Sequence, residues 1–426
     1  MRRFSRWGLA AGFVLLGQQV SLAVEPKVRT WPAWRGADAN GSTTEGSYAA
    51  EWSQEKNLLW KVKLPGRGCS TPAVWGKRIF VTTPSETGKD SVLCLSDEGK
   101  ELWLKPVGDG RNGKHRNGSS SNPSPVTDGE HVFAYFKSGN VAGLSKNGKL
   151  LWKDNLQKRF GNDTLYWDIG TSPVLTDDHV VVAVMQERGS HLAAFEKVSG
   201  KLAWSQKRDF ECPREGDHSY TTPIVLGSGA QQSILVWGAE HLTSHRARTG
   251  ETLWTCAGFN PEKKRNWVAV ASHVVAGDIA VVPYGRGNRL AGIRLGGKGD
   301  VTETNRLWTR EKTGSFVPTP AVYKDSVYVL RDRGEILCID PKSGETKWSG
   351  KLPKHRAKYY ASPTVADGKV YSTREDGVVV VTTASEPFKV LAENDMGERM
   401  IASPVPVGGR LLLRGTKHLF CVRPVE

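Results

Sequence analysis

Eight residues at one recurring place in this chain carry the mixed chemistry of a binding site: Arg67, Ser120, Asp168, His218, Val268, Ser315, Lys358 and Arg399. Each stands five residues before the second residue of a repeated Ser/Thr-Pro dipeptide, so the chain supplies its own alignment, and in that alignment this position varies freely. Large side chains lie close by, namely Trp167, Tyr220, Trp267, Phe316, Tyr359, Tyr360 and Met400. Three cations (Arg67, Lys358 and Arg399) and the titratable His218 stand against a single Asp168, a balance that suits an anionic ligand or an acidic peptide. Asp168 and His218, from neighbouring copies, also form a candidate base pair for proton transfer. Asn122, just before its own dipeptide, adds an amide to the set.

The dipeptides behind this alignment are Thr71-Pro72, Ser124-Pro125, Ser172-Pro173, Thr222-Pro223, Thr319-Pro320, Ser362-Pro363 and Ser403-Pro404, with Ser272-His273 as an eighth that has lost its proline. They recur at intervals of 41 to 53 residues. A second mark trails each one, a Gly turn leading to Trp, as in Gly99 to Trp103, Gly148 to Trp152, Gly200 to Trp204, Gly250 to Trp254 and Gly344 to Trp348. Trp308 holds the place in the fifth copy, and Phe388-Lys389-Val390-Leu391 replaces it in the seventh. Between the marks, alternating runs such as Arg78-Ile79-Phe80-Val81 and Val92-Leu93-Cys94-Leu95 predict strands bounded by turns. A repeat of about 47 residues is then four short antiparallel strands, one propeller blade.

The expected fold is all-β, an eight-bladed β-propeller of four-stranded antiparallel blades over residues 57–426. The last copy ends after Leu419-Phe420-Cys421-Val422 without its Trp-bearing strand, while Asn57-Leu58-Leu59-Trp60 precedes the first dipeptide as an orphan. Joining the two closes the last blade with the N-terminal strand and pairs edges that would otherwise be exposed. The repeated Trp is expected between neighbouring blades. In such a ring the loops entering the innermost strands rim a central channel, which puts the variable position at one mouth and the small residues of the Ser/Thr-Pro mark near the crowded axis.

The 46 glycines and 22 prolines among 426 residues fit a turn-rich repeat. Residues 1–23 predict a signal peptide: Arg2, Arg3 and Arg6 precede the apolar run Gly8 to Leu16, and Ser21-Leu22-Ala23 supplies small residues for cleavage. No Cys precedes Cys69, so there is no lipobox cysteine, and nothing after the leader approaches a membrane span. The chain is therefore expected to be exported, periplasmic or secreted, and monomeric. Residues 24–56 form an N-terminal extension. The net charge of +15 falls to +12 when those three arginines leave with the leader. Export argues against nucleic acid as the partner of this basic surface and for an envelope protein, a peptide or an anionic small molecule.

Cys94, Cys338 and Cys421 share one strand position in different blades, too far apart to be bridged, and are expected as small core residues. Cys69, Cys212 and Cys256 fall outside that register, and a bridge between Cys212 and Cys256 stays open. Cys-x-x-Cys, His-Glu-x-x-His and Gly-x-Ser-x-Gly motifs are absent, and Asp38-Ala39-Asn40-Gly41 lacks the distal Glu of a calcium loop.

The pattern Ser/Thr-Pro, Gly turn, strand, Gly-Lys-x-x-Trp resembles the pyrroloquinoline-quinone (PQQ) type propeller repeat, shared by quinoprotein alcohol dehydrogenases and the outer-membrane assembly factor BamB. Trp31-Pro32-Ala33-Trp34-Arg35-Gly36, with Leu64-Pro65-Gly66-Arg67-Gly68, is similar to exported propellers of planctomycete-like bacteria. The resemblance spans residues 31 to 424 and specifies fold better than function. Its BamB-like branch implies a noncatalytic envelope or secreted scaffold without cofactor or metal, binding at the mouth. Its quinoprotein branch implies a PQQ- and calcium-dependent alcohol or sugar dehydrogenase, with Asp168 or Asn122 as remnants of a site. The chain has no adjacent Cys pair and little length beyond its blades, which favours the first branch.

Overall fold

Alternating apolar residues in short strands leave both faces of every sheet to be covered, and a closed ring of sheets covers them with one another. The computed structural model describes residue 1 and residues 28–424, so the leader expected over residues 1–23 lies, apart from Met1, outside the described residues. Eight antiparallel sheets follow one another around an axis. Blade 1 runs from Ala73–Trp75 through Arg78–Pro84 and Lys89–Ser96 to Glu101–Asp109, and the other blades repeat that order. Blade 8 consists of Val405–Val407, Arg410–Arg414 and His418–Val422, completed on its outer edge by Leu58–Lys63. The ring therefore closes as the orphan strand predicts. Among the described residues helix is confined to short pieces such as Leu156–Phe160 and Thr302–Asn305.

Among the described residues the core divides into eight apolar clusters, each drawn mainly from two neighbouring blades, with Trp31, Tyr48 and Trp52 of the N-terminal extension joining two of them. The repeat Trp stitches these seams. Trp60 of blade 8 donates its indole N–H to Asp97 O of blade 1 at 3.0 Å, Trp103 to Lys146 O at 3.2 Å, Trp152 to Lys197 O at 2.8 Å and Trp308 to Pro341 O at 2.9 Å. Each indole lies against the next blade's turn glycine (Gly99, Gly148, Gly200 and Gly344), where a Cβ would overlap the ring. Within its own blade Trp sits opposite a small residue: Cys94 faces Trp103, Gly143 faces Trp152, Cys338 faces Trp348 and Cys421 faces Trp60. The three in-register cysteines are thus seats for indole rings, and Cys212 and Cys256 are free thiols rather than a bridge.

The Ser/Thr of the dipeptide forms a hydrogen-bonded belt near the axis. Thr71 N–H donates to Ser124 Oγ, Ser124 N–H to Ser172 Oγ, Ser172 N–H to Thr222 Oγ1 and Thr222 N–H to Ser272 Oγ, at 2.9 to 3.0 Å. Ser272 N–H continues it to Thr319 Oγ1 at 2.8 Å and Thr319 N–H to Ser362 Oγ at 2.9 Å. A hydroxyl is needed at this place because it satisfies a neighbouring blade's buried N–H.

Candidate functional site

The N-terminal extension is what turns the channel into a well. Thr30–Trp31 pairs with the inner strand of blade 1, and Ser42–Thr43 pairs with that of blade 7. Between these anchors the segment crosses the axis: Pro32 O accepts from Thr127 N–H of blade 2 at 2.9 Å, and Asn40 O accepts from Val322 N–H of blade 6 at 2.8 Å. Arg35 is buried here and donates to Pro320 O at 3.0 Å and Pro363 O at 2.8 Å, tying two dipeptides together. Burial without a carboxylate partner pushes its guanidinium down to about 9. Trp34 faces the remaining space, a cavity of about 370 Å³ walled by the hydroxyl belt.

The opposite mouth is spanned by a strap, residues 111–118, from the connection between blades 1 and 2. On the blade 3 side Asp168 accepts from the N–H groups of Lys114 (2.7 and 2.9 Å) and His115 (3.0 Å). The buried Lys137 ammonium pairs with the same carboxylate. Gly118 passes so close that a Cβ there would overlap Asp168 Oδ2. On the far side Glu375 of blade 7 holds Arg116 at 3.5 Å and the Asn117 amide at 3.3 Å. Arg399 pairs with Glu375 at 3.6 Å and donates to Asn117 Oδ1, and Arg67 donates to Arg116 O. Two acids, each saturated, thus clamp the ends of one strap across the well.

What remains open at the lip is aromatic and basic. Trp167 is held by its backbone N–H donating to Tyr220 Oη at 3.1 Å, and its ring packs edge-on against His115, with centroids 5.1 Å apart. Arg286 stacks on Phe316 at 4.5 Å. Cys69 lies on the wall below, its thiol pushed up by burial and drawn back by Arg414 and Arg67, and it donates to Asn117 O at 3.2 Å. Burial thus disfavours its thiolate form.

A family model described as outer membrane protein assembly factor BamB matches residues 41–207, 166–301 and 298–386. The chain belongs to this BamB-like, PQQ-type family. As a BamB-like propeller it is similar in fold to BamB from Moraxella catarrhalis, with 14% identity and a TM-score of 0.61 over 86% of this chain and 99% of that one. It is also similar to quinohemoprotein alcohol dehydrogenase from Comamonas testosteroni, with 12% identity and a TM-score of 0.69 over 93% of this chain and 81% of that one. A europium-containing methanol dehydrogenase aligns at 12% identity and a TM-score of 0.66, over 92% and 89% of the two chains. Identities this low establish a shared fold. No curated protein is a significant match to the sequence.

Within this BamB-like propeller the residues singled out from the sequence separate into groups. Asn122, Trp167, Asp168, Tyr220 and Phe316 line the well. Arg67 and Arg399 brace the strap, and Lys358 is exposed with its backbone N–H donating to Glu375 at 3.3 Å. Trp267 lies in an adjoining groove. His218 is buried behind the rim against Tyr166, and Tyr359 is buried in the wall while its neighbour Tyr360 lines the well. Asp168 and His218 therefore do not form a working pair: the carboxylate is engaged by Lys137 and the strap, and no bond joins it to the imidazole. Trp34, His115, Asn117, Arg286 and Glu375 complete the site and lie outside the aligned position. The stretch from Trp103 to Ser124 that carries the strap is only one residue longer than that from Trp152 to Ser172, so its length gave no sequence signal.

Proposed function

We propose that this chain is a noncatalytic binding propeller of the cell envelope, and that its well takes an anionic ligand, a small molecule or the acidic end of a peptide. The carrying observation is that both acids at the mouth are locked into the strap while Arg286, Trp167 and Phe316 stay at the opening. Ligand charge then meets cation and aromatic edge without an opposing free carboxylate. The family description as an outer membrane assembly factor supports an envelope setting and a protein partner. Among the described residues no helix is long and apolar enough to cross a membrane.

The quinone-and-calcium alternative meets a poor fit. Calcium takes six or more oxygen ligands. The oxygens at hand belong to Asp168, engaged as above, and to Asn122, whose Oδ1 accepts from Ser119 N–H at 2.8 Å and Ser119 Oγ at 2.9 Å. No group of three His, Cys, Asp or Glu among the described residues is arranged to hold a metal. The donor set does not suit the pair, and no reaction step is drawn through it.

Tryptophan fluorescence titration tests the proposal, using citrate and a triglutamate peptide against uncharged triglycine. Both anions are expected to perturb the emission at low salt, and Phe316→Ala or Arg286→Ala to weaken them about tenfold. Equal response to triglycine, or none to either anion, rejects it. Retention of added PQQ through desalting, with calcium-dependent dye reduction, would move the chain to the enzyme branch.

A further inference from the structure

Beside the well lies a second recess, an open groove of about 680 Å³ that shares Trp167 and Arg286 with the well's lip. One part of its lining is Tyr166 and Trp167, and another is Lys264 and Arg265 of the loop before Trp267. Among the described residues Tyr166 (42% exposed) and Trp167 (49%) are the aromatic members of the exposed large hydrophobics, and they are adjacent in sequence and on the same groove. Exposed aromatic rings are held in place here rather than left loose. Tyr220 fixes the Trp167 backbone and His115 packs edge-on against its ring, while Arg214 donates to the Tyr166 hydroxyl at 3.3 Å and lies 5.9 Å from that ring. Fixed rings facing solvent are platforms for a flat partner.

The charges of the groove are unbalanced. Lys264 pairs with Glu262 at 2.6 Å, but Arg265 is exposed and has no hydrogen-bond or ion-pair partner among the described residues. Arg286 gives one N–H to Asn266 O at 3.0 Å and keeps the others free. The acid in the lining, Glu215, is buried. A ligand here therefore brings negative charge and flat apolar faces together, and continues toward the well.

We propose that this groove is a subsite for a carboxylated oligosaccharide, a chain of uronic-acid-type pyranose units whose C–H faces stack on Tyr166 and Trp167 and whose carboxylates meet Arg265 and Arg286. The inference rests on the anionic-ligand reading of the well, which takes the terminal unit. A pyranose uronate places one carboxylate beside each stackable face, matching a short platform with cations on its flank. An acidic peptide offers charge without such faces. A single-stranded nucleic acid needs a basic track along its phosphates, and here the free cations gather at one place.

The test is titration of the intact chain with galacturonate monomer, galacturonate hexamer, maltohexaose, hexaglutamate and oligo-dT. The hexamer is expected to bind about tenfold or more tighter than the monomer, because the added units gain contacts at high effective concentration. Tyr166→Ala and Arg265→Ala are expected to abolish that gain while leaving monomer binding unchanged, and Arg265→Ala, at an exposed position, to leave the melting temperature unchanged as well. Phe316→Ala, in the well, should weaken the monomer. Monomer binding with no gain for the hexamer overturns the groove and leaves the well standing. Hexamer binding that is lost in Tyr166→Ala but insensitive to Phe316→Ala supports the groove and rejects the well. Maltohexaose, hexaglutamate or oligo-dT equalling the hexamer overturns the ligand class.

Discussion

Single residues of the repeat mark show how strongly position in the ring constrains chemistry. The Ser/Thr hydroxyl is fixed because it accepts a neighbouring blade's N–H, and the following Pro needs no donor of its own. His273 breaks this rule. Its imidazole is 1% exposed, both ring nitrogens lack a partner, and burial with the Arg208 charge pushes it from 6.5 to about 3. His245, bonded to Thr243 and Gly250, is pushed by burial and Arg208 to about 4. Both are neutral when folded and take up protons when unfolded, so their stability is fully present above about 6.5 and is lost as pH falls toward 4 and 3. Each costs about 2 kcal/mol at pH 5. His273→Pro, restoring the residue of the other copies, should leave stability at pH 7.5 within about 1 kcal/mol and remove roughly half of this acid loss. Urea unfolding at the two pH values checks it; an unchanged difference between them would refute the assignment.

At the level of elements, the strap and the Trp-bearing strand obey different logic. The Trp strand is stamped by a local pattern, a Gly turn and then an indole, because the turn glycine is what the preceding blade's ring lies against. The strap has no pattern of its own and is positioned by Asp168 and Glu375 from blades on either side. Gly118→Ala should therefore damage the site more than the fold. A Cβ driven against Asp168 displaces His115 and Asn117 from the well, with about a tenfold loss of anion affinity. The destabilisation should stay near about 1–2 kcal/mol, as the blades keep their seams. Paired fluorescence titration and calorimetry separate the two effects; unchanged affinity would show the strap to be a bystander.

For the molecule as a whole, stability resides in eight seams, and one of them is closed by residues far apart in the chain. Blade 8 unites Leu58–Lys63 with His418–Val422, and Trp60 then fastens it to blade 1. Trp60→Ala removes the stitch at the only seam where the ring itself is joined. For a half-buried indole the loss is about 2–3 kcal/mol, below that of a fully buried one. Amide exchange should accelerate first in blades 8 and 1, and uniform acceleration around the ring would contradict a local closure. The extension between the two joins, anchored through Arg35 to blades 6 and 7, makes the channel blind.

The sequence alone determined the blade count, the closure by Asn57 to Trp60, and the mouth at which Trp167, Asp168, Tyr220 and Phe316 gather. Those features repeat, and repetition inside one chain exposes what each place in a blade requires. Contacts made once are not legible that way. Trp34 and Arg35 sit in an extension without internal copies, and only the tertiary structure brings them to the axis. Asp168 looks like a free acid in the alignment, yet its partner Lys137 comes from a turn of blade 2 and the strap reaches it from outside the repeat. Strand alternation placed Tyr359 at the rim, whereas its bridge to Arg374 turns it into the wall and leaves Tyr360 on the well. Periodic burial writes the scaffold into the sequence, while the site is assembled from single long-range hydrogen bonds and ion pairs that leave no period to read.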